Sequence, residues 1–169
     1  MVYEKAFDSL DWNFIHKCLS SIGLKDDFCK WIKIIYTEPK AFLKINGYIS
    51  EKIMIEQGIR QGCPISCLIF IICTEFMALK IKQSEEVKGI DIQTHLGKRN
   101  LKVTQYADDT CLFLRNKSDV NAALKVLESF TAVSGLHLNL SKTKGLGIGT
   151  LKDMNTTADS QIKWTQTPI

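Results

Sequence analysis

The stretch Val103-Thr104-Gln105-Tyr106-Ala107-Asp108-Asp109-Thr110-Cys111-Leu112-Phe113-Leu114 decides how this chain reads. Val103–Ala107 and Cys111–Leu114 have the composition of strands, yet two adjacent carboxylates interrupt them. Buried unpaired anions are costly, so the interruption needs a cause. A tight hairpin that holds Asp108 at a fixed point for a divalent cation supplies one, because hard ions such as Mg²⁺ prefer carboxylate oxygens, waters and phosphates. On this dipeptide alone, a solvent-exposed Asp-Asp turn is the competing reading.

Upstream, Ile65, Leu68, Ile69, Ile72, Phe76 and Leu79 share one helical face, and Ile71 and Cys73 make the other face apolar too. That pattern predicts a helix buried on most sides. Just before it, Gly58-Ile59-Arg60-Gln61-Gly62-Cys63-Pro64 combines glycines, a cation and an amide ahead of a helix N-terminus. Such a segment lets backbone approach a ligand and favours anions, though an ordinary loop with a Pro-started helix has the same composition.

Further out, Ile15, Cys18, Leu19 and Ile22 stop at Gly23, and Phe28, Trp31, Ile32 and Ile35 stop before Pro39, predicting two amphipathic helices with those residues inward. Ser9 or Asp11 is the candidate cap of the first. Ala41–Ile45 and Lys52–Ile55 flank Asn46-Gly47 and predict a hairpin, with a loop longer than two residues because polar residues follow the turn. Residues 88–94 and 100–115 read as strands. Ser118 is the candidate cap of a helix with Val120, Leu124, Leu127 and Phe130 inward, ending near Gly135, before short strands at Leu136–Leu140 and Gly145–Gly149. The class is α+β, with residues 1–151 as one domain and the polar 152–169 stretch as a poorly ordered tail.

Composition narrows the field less. The 169 residues are 45% hydrophobic and 24% charged with net charge +4, which excludes disordered, collagen-like and disulfide-knotted classes. The 6 cysteines include no CxxC pair and the 3 histidines are scattered, so reduced thiols are expected rather than a zinc site. Met1 leads straight into Tyr3-Glu4-Lys5, unlike a signal peptide, and Ile65–Leu79, interrupted by Ser66, Thr74 and Glu75, falls short of the roughly 20 residues that span a bilayer. The expectation is an intracellular protein of the nucleus or cytoplasm, not inserted in a membrane.

Taken in order, YEKAFDSLDW (3–12), GIRQGCPISCLIF (58–70), YADDTCLFL (106–114) and SGLHLNLSKTK (134–144) resemble motifs A, B, C and D of a LINE-type, non-LTR retrotransposon reverse transcriptase. The resemblance implies a palm: an antiparallel sheet backed by helices, with fingers and thumb largely missing from this stretch. It implies two-metal nucleotidyl transfer with Mg²⁺, on an RNA template and DNA primer, from deoxynucleoside triphosphates. Asp108 and Asp109 become the catalytic metal ligands. Phe7 would exclude a 2′-hydroxyl, Gln61 and Gly62 would lie against the nucleotide, Lys142 near the triphosphate, and Arg60 against nucleic-acid phosphate. Core packing for Phe7 and a solvated surface position for Lys142 are the alternatives.

The family's first motif A aspartate falls on position 2, and position 2 is Val2. A valine offers no lone pair, so one converging carboxylate is lost and the chain is expected to be catalytically dead. Asp8, six residues on in an extended segment, would lie roughly 20 Å away, and Glu4 roughly 7 Å, so neither is a good replacement. A chain spanning only these motifs is expected to expose apolar surface. A non-catalytic remnant that at most binds nucleic acid or a partner protein is the alternative function.

Overall fold

The computed structural model describes residues 1–149 and 162–165. Met1–Tyr3 runs between two neighbouring segments, and Lys5, at φ 43°, turns the chain into the single helical turn α1 (Ala6–Ser9). Asp11 then starts α2 (Trp12–Ser21), its carboxylate accepting the Phe14 N–H at 2.8 Å. Ile15, Cys18 and Leu19 are buried as their spacing predicts, whereas Ile22 lies at the exposed C-terminal end.

α3 (Asp26–Ile35) departs further from expectation. Ile32 is buried, but Phe28, Trp31 and Ile35 are exposed, Trp31 by 65%. The helix rests on α2 at the margin of the core, so one row of its apolar stripe finds a partner and the rest faces outward.

A bulged hairpin follows: β1 (Lys40–Ala41), β2 (Lys44–Ile45), β3 (Tyr48–Ile49) and β4 (Ile53–Met54). Lys44 pairs with Ile49 and Ile45 with Tyr48, so the loop is the two-residue Asn46-Gly47 turn, shorter than expected. The polar residues after it serve a different end. Register shifts by one residue between the inner pairs and the Lys40↔Met54 and Ala41↔Ile53 pairs, leaving Glu51 and Lys52 opposite Phe42, and Ser50 flanks the bulge, its Oγ accepting the Leu43 N–H at 2.9 Å.

α4 (Pro64–Gln83) is the central helix and packs on α2, on α5 (Lys117–Ser134) and on β7 (Val103–Tyr106). Burial falls on Ser66, Ile69, Phe70, Cys73, Thr74, Met77, Ala78 and Ile81, while Leu68, Ile71 and Leu79 stay exposed. The sequence suggested burial on most sides; an all-round apolar helix hides which face meets the core. At 20 residues, with an 18-residue stretch of mean hydropathy 1.9, α4 is longer than the apolar run within it, and by length and composition alone it could cross a membrane. Here its buried side meets protein.

β5 (Ile90–Thr94) and β6 (Gly97–Leu101) form a hairpin, and β7 and β8 (Asp109–Leu112) form the next. The 100–115 stretch, expected to break only at Asp108-Asp109, thus also breaks at Lys102, whose Nζ donates to the carbonyls of Lys82 and Ser84 at 2.9 and 2.7 Å. Asn116, not Ser118, caps α5 by accepting the Asp119 N–H at 2.9 Å, and Gly135 ends the helix. Leu127 and Phe130 face inward, with Phe130 edge-on to Phe14 at 5.5 Å.

Leu136–Leu140 is not a full strand; it makes one bridge, Leu138 to Tyr3. β9 (Lys144–Leu146) pairs in parallel with β10 (Lys163–Thr165). β10 falls inside the stretch expected to be a loose tail. It is held as a strand by Trp164, whose ring covers Gly145 so closely that a Cβ there would come within 2.6 Å of it. The remainder of the 152–169 stretch lies outside the described residues.

Candidate active site on the open face of the sheet

The carboxylate hairpin has the geometry its sequence demands. Tyr106 pairs with Asp109, leaving Ala107-Asp108 as a two-residue turn with Ala107 at φ 51°. Asp108 and Asp109 are both exposed, so neither carries the cost of burial.

Met1 and Thr110 exchange both backbone hydrogen bonds, Met1 N to Thr110 O at 2.7 Å and Thr110 N to Met1 O at 3.1 Å. Reciprocal bonding between one pair of residues is the antiparallel pattern. On the other side of the same segment, Glu4 N donates to His137 O at 2.8 Å and Asn139 N to Val2 O at 2.9 Å. The result is an antiparallel layer in the order β7, β8, Met1–Glu4, His137–Asn139. Its inner face carries Thr110 and Tyr3, both buried, with Tyr3 edge-on to Phe70 at 6.5 Å. Burial pushes the Tyr3 phenol up to about 12, Thr110 alongside offsetting part of the effect. By alternation, Val2, Asp109 and Cys111 share the outer, open face.

A second group of side chains lies where α1 meets the loop before α4. Phe7 is half-buried and stacks on Phe70 at 5.0 Å and 13°. Ile59 N donates to Phe7 O at 2.6 Å, Gly58 N to Leu10 O at 2.9 Å, and Trp12 Nε1 to Gly58 O at 2.7 Å. Gly58 is required at this seam, because φ is +86° and a Cβ would come within 2.7 Å of the Asp8 carbonyl oxygen. Gly62, at φ +80°, is different: a Cβ there meets nothing within 4 Å, so its surroundings are open. Gln61 and Arg60 are exposed and, with Asp8, Trp12, Tyr36 and Met54, line a groove of about 930 Å³.

The Met1–Ser9 segment thus ties the two groups together: its start pairs with the carboxylate hairpin and its end is sewn to the Gln61 loop. Lys142 lies on a turn just past Asn139, whose Oδ1 accepts the Lys142 N–H at 3.0 Å; its own ammonium is exposed and makes no hydrogen bond or ion pair among the described residues. Two participants carried no local sequence signal. Asn139 bonds both Val2 and the Lys142 turn, and Asp8 accepts the Gln61 Nε2–H at 3.1 Å across 53 residues of sequence. The chain is not extended as far as Asp8, since α1 intervenes, and the Asp8 carboxylate is engaged with Gln61.

The family model described as reverse transcriptase (RNA-dependent DNA polymerase) matches residues 1–165. The chain belongs to the reverse transcriptase family. Among its relatives, a transposon TX1 uncharacterized 149 kDa protein of Xenopus laevis is 29% identical over 95% of this chain and 12% of its own length. A retrovirus-related Pol polyprotein from the type-2 retrotransposable element R2DM of Drosophila melanogaster is 28% identical over 86% of this chain and 13% of its own. A Pol polyprotein from a type-1 element R2 of Popillia japonica is 22% identical over 86% of this chain and 20% of its own. This reverse transcriptase chain therefore spans a small part of each of those proteins, and its mixed helix and strand architecture is that of a partial palm of the non-LTR retrotransposon kind.

Reverse transcriptases use divalent metal ions, and the donor set here can be weighed against that need. Among the described residues no three His, Cys, Asp or Glu side chains gather into a metal-holding group. Asp108 and Asp109 project from one hairpin, and the neighbouring strand offers Val2. Two ions held roughly 4 Å apart need carboxylates converging from separate strands, so the residues present do not fit a complete two-ion site.

Proposed function

We propose that this chain is the palm of an RNA-directed DNA polymerase from a non-LTR retrotransposon, with the nucleotide side of the site retained and the metal side incomplete. The carrying observation is the Met1–Ser9 segment, which joins the Asp108–Asp109 hairpin to the Phe7, Gln61 and Gly62 cluster. On this reading Asp108 and Asp109 are the retained catalytic, Mg²⁺-binding carboxylates. Phe7, backed by Phe70, is a rigid wall against a 2′-hydroxyl. Gln61 and the open backbone at Gly62 receive the deoxynucleoside triphosphate, Lys142 reaches its phosphates, and Arg60 meets template or primer phosphate. RNA template and DNA primer are the macromolecular partners.

A second reading, nucleic-acid binding without catalysis, is favoured by one observation, Val2 at the position facing Asp109. Primer extension on an RNA template with Mg²⁺, using folded chain and Asp108→Ala as control, separates the two. No incorporation from this chain, together with salt-dependent RNA binding, is the expected result. Incorporation that disappears in Asp108→Ala would show that Val2 does not disable the site.

A further inference from the structure

Gln61 stands on an exposed loop, and a free glutamine there would sample many rotamers. The backbone around it is already fastened to α1 and α2 by the bonds from Gly58 N, Ile59 N and Trp12 Nε1. The Asp8–Gln61 hydrogen bond adds little to that fastening, since both side chains are exposed. What it fixes is the direction of the carboxamide. A carboxylate only accepts, so Gln61 must turn Nε2 toward Asp8 and cannot flip.

We infer that Asp8 is the positioning residue for Gln61: it takes one N–H of the carboxamide and leaves the second N–H and Oε1 directed at an incoming deoxynucleoside triphosphate. The inference rests on the proposed nucleotide role of Gln61 and Gly62, and deepens it. Two features of the seam support it. Asp8 is held in place by its own backbone, against which Gly58 packs too closely for any Cβ. Asp8 and Gln61 both line the same groove, and the backbone at the adjoining Gly62 is unobstructed, so the free side of the carboxamide has room for a ligand.

The test uses ¹⁵N-labelled chain, its Gln61 side-chain NH₂ resonances and titration with dATP and Mg²⁺. In the unsubstituted protein the two Gln61 NH₂ protons are expected to be spread well beyond the free-glutamine separation. In Asp8→Ala they collapse toward it and dATP affinity falls roughly three- to tenfold, the loss of one good hydrogen bond. Asp8→Asn, which keeps the shape but can present either an acceptor or a donor, gives an intermediate result. In a Gln61→Ala background, Asp8→Ala has no further effect on affinity.

Gln61 NH₂ signals that ignore Asp8→Ala would overturn the inference. So would an equal loss of affinity in the Gln61→Ala background, because Asp8 would then act by another route. Should dATP fail to bind even the unsubstituted protein while the Gln61 signals still answer to Asp8→Ala, the nucleotide role of the site is overturned and the hydrogen bond alone stands.

Discussion

Val2 stands directly across the strand pair from Asp109. Because Met1 and Thr110 exchange both of their hydrogen bonds, the next pair in the register is Val2 with Asp109, a non-hydrogen-bonded pair with Cα atoms about 4.5 Å apart and both side chains on the open face. A carboxylate at position 2 would thus converge on Asp109 from a separate strand, which is the arrangement that metal-assisted phosphoryl chemistry requires.

Val2→Asp should therefore make stability depend on Mg²⁺. With chelator present, like charges directly opposed on neighbouring strands cost about 0.5–1 kcal/mol, or roughly 1–4 °C in melting temperature for a domain of this size. Millimolar Mg²⁺ should recover that loss and more in Val2→Asp, and change the unsubstituted chain much less. Thermal melts of both proteins with EDTA and with Mg²⁺ decide it; identical responses to Mg²⁺ would refute the convergence.

Gly58→Ala attacks the other end of the site. The added Cβ would lie within 2.7 Å of the Asp8 carbonyl oxygen at a φ of +86°, and neither backbone can yield without breaking the bonds from Gly58 N and Ile59 N. A loss of about 2–4 kcal/mol in urea unfolding is expected, compounded of left-handed strain and overpacking. Nucleotide affinity should fall with it, since the loop carrying Gln61 is sewn down there. Gly62→Ala, strained but unobstructed, should cost only about 1 kcal/mol.

Much of this architecture was legible because its signals are local. The Asp108-Asp109 interruption announced a hairpin, Gly135 announced a helix end, and the order of four segments announced the family. Burial was less legible. Uniform apolarity in α4 concealed that Leu68 and Ile71 face outward, and the stripe of α3 did not reveal that it lies at the edge of the core. Within the site, Phe7, Gln61 and the two aspartates stood out through the motif resemblance, whereas Asp8 figured only as a poor stand-in for the missing carboxylate. Its partner is 53 residues away, and no spacing rule reaches that far.

Asp119 illustrates a nonlocal role of a structural kind. Buried beneath the start of α5, its Oδ2 accepts the N–H groups of Lys88, Gly89 and Arg115 at 3.2, 3.1 and 3.0 Å, joining the loop that leads into β5 to the chain leaving β8. Asp119→Ala would leave three backbone donors unsatisfied and should cost about 3 kcal/mol, against about 1 kcal/mol for loss of the cap in Asn116→Ala. Urea denaturation of the two variants side by side checks the ranking; equal costs would mean that solvent replaces the carboxylate.

Alkaline titration tests the inner face of the same sheet. Burial holds the Tyr3 phenol at about 12 in the folded chain, whereas an unfolded tyrosine ionises near its ordinary value of 10.0. The unfolded state therefore releases this proton first as pH rises, so the contribution is fully present below pH 10 and is lost on the way to 12. The full difference amounts to roughly 3 kcal/mol. Among the described residues the buried Tyr3 hydroxyl makes no well-formed hydrogen bond, Thr110 alongside offsetting only part of the burial, so Tyr3→Phe should be close to neutral at pH 7. Above pH 10 it should lose stability less steeply than the parent, the two curves separating as the unfolded phenolate forms. Melting temperatures measured between pH 8 and 11 provide the comparison, and parallel curves would place Tyr3 in contact with water.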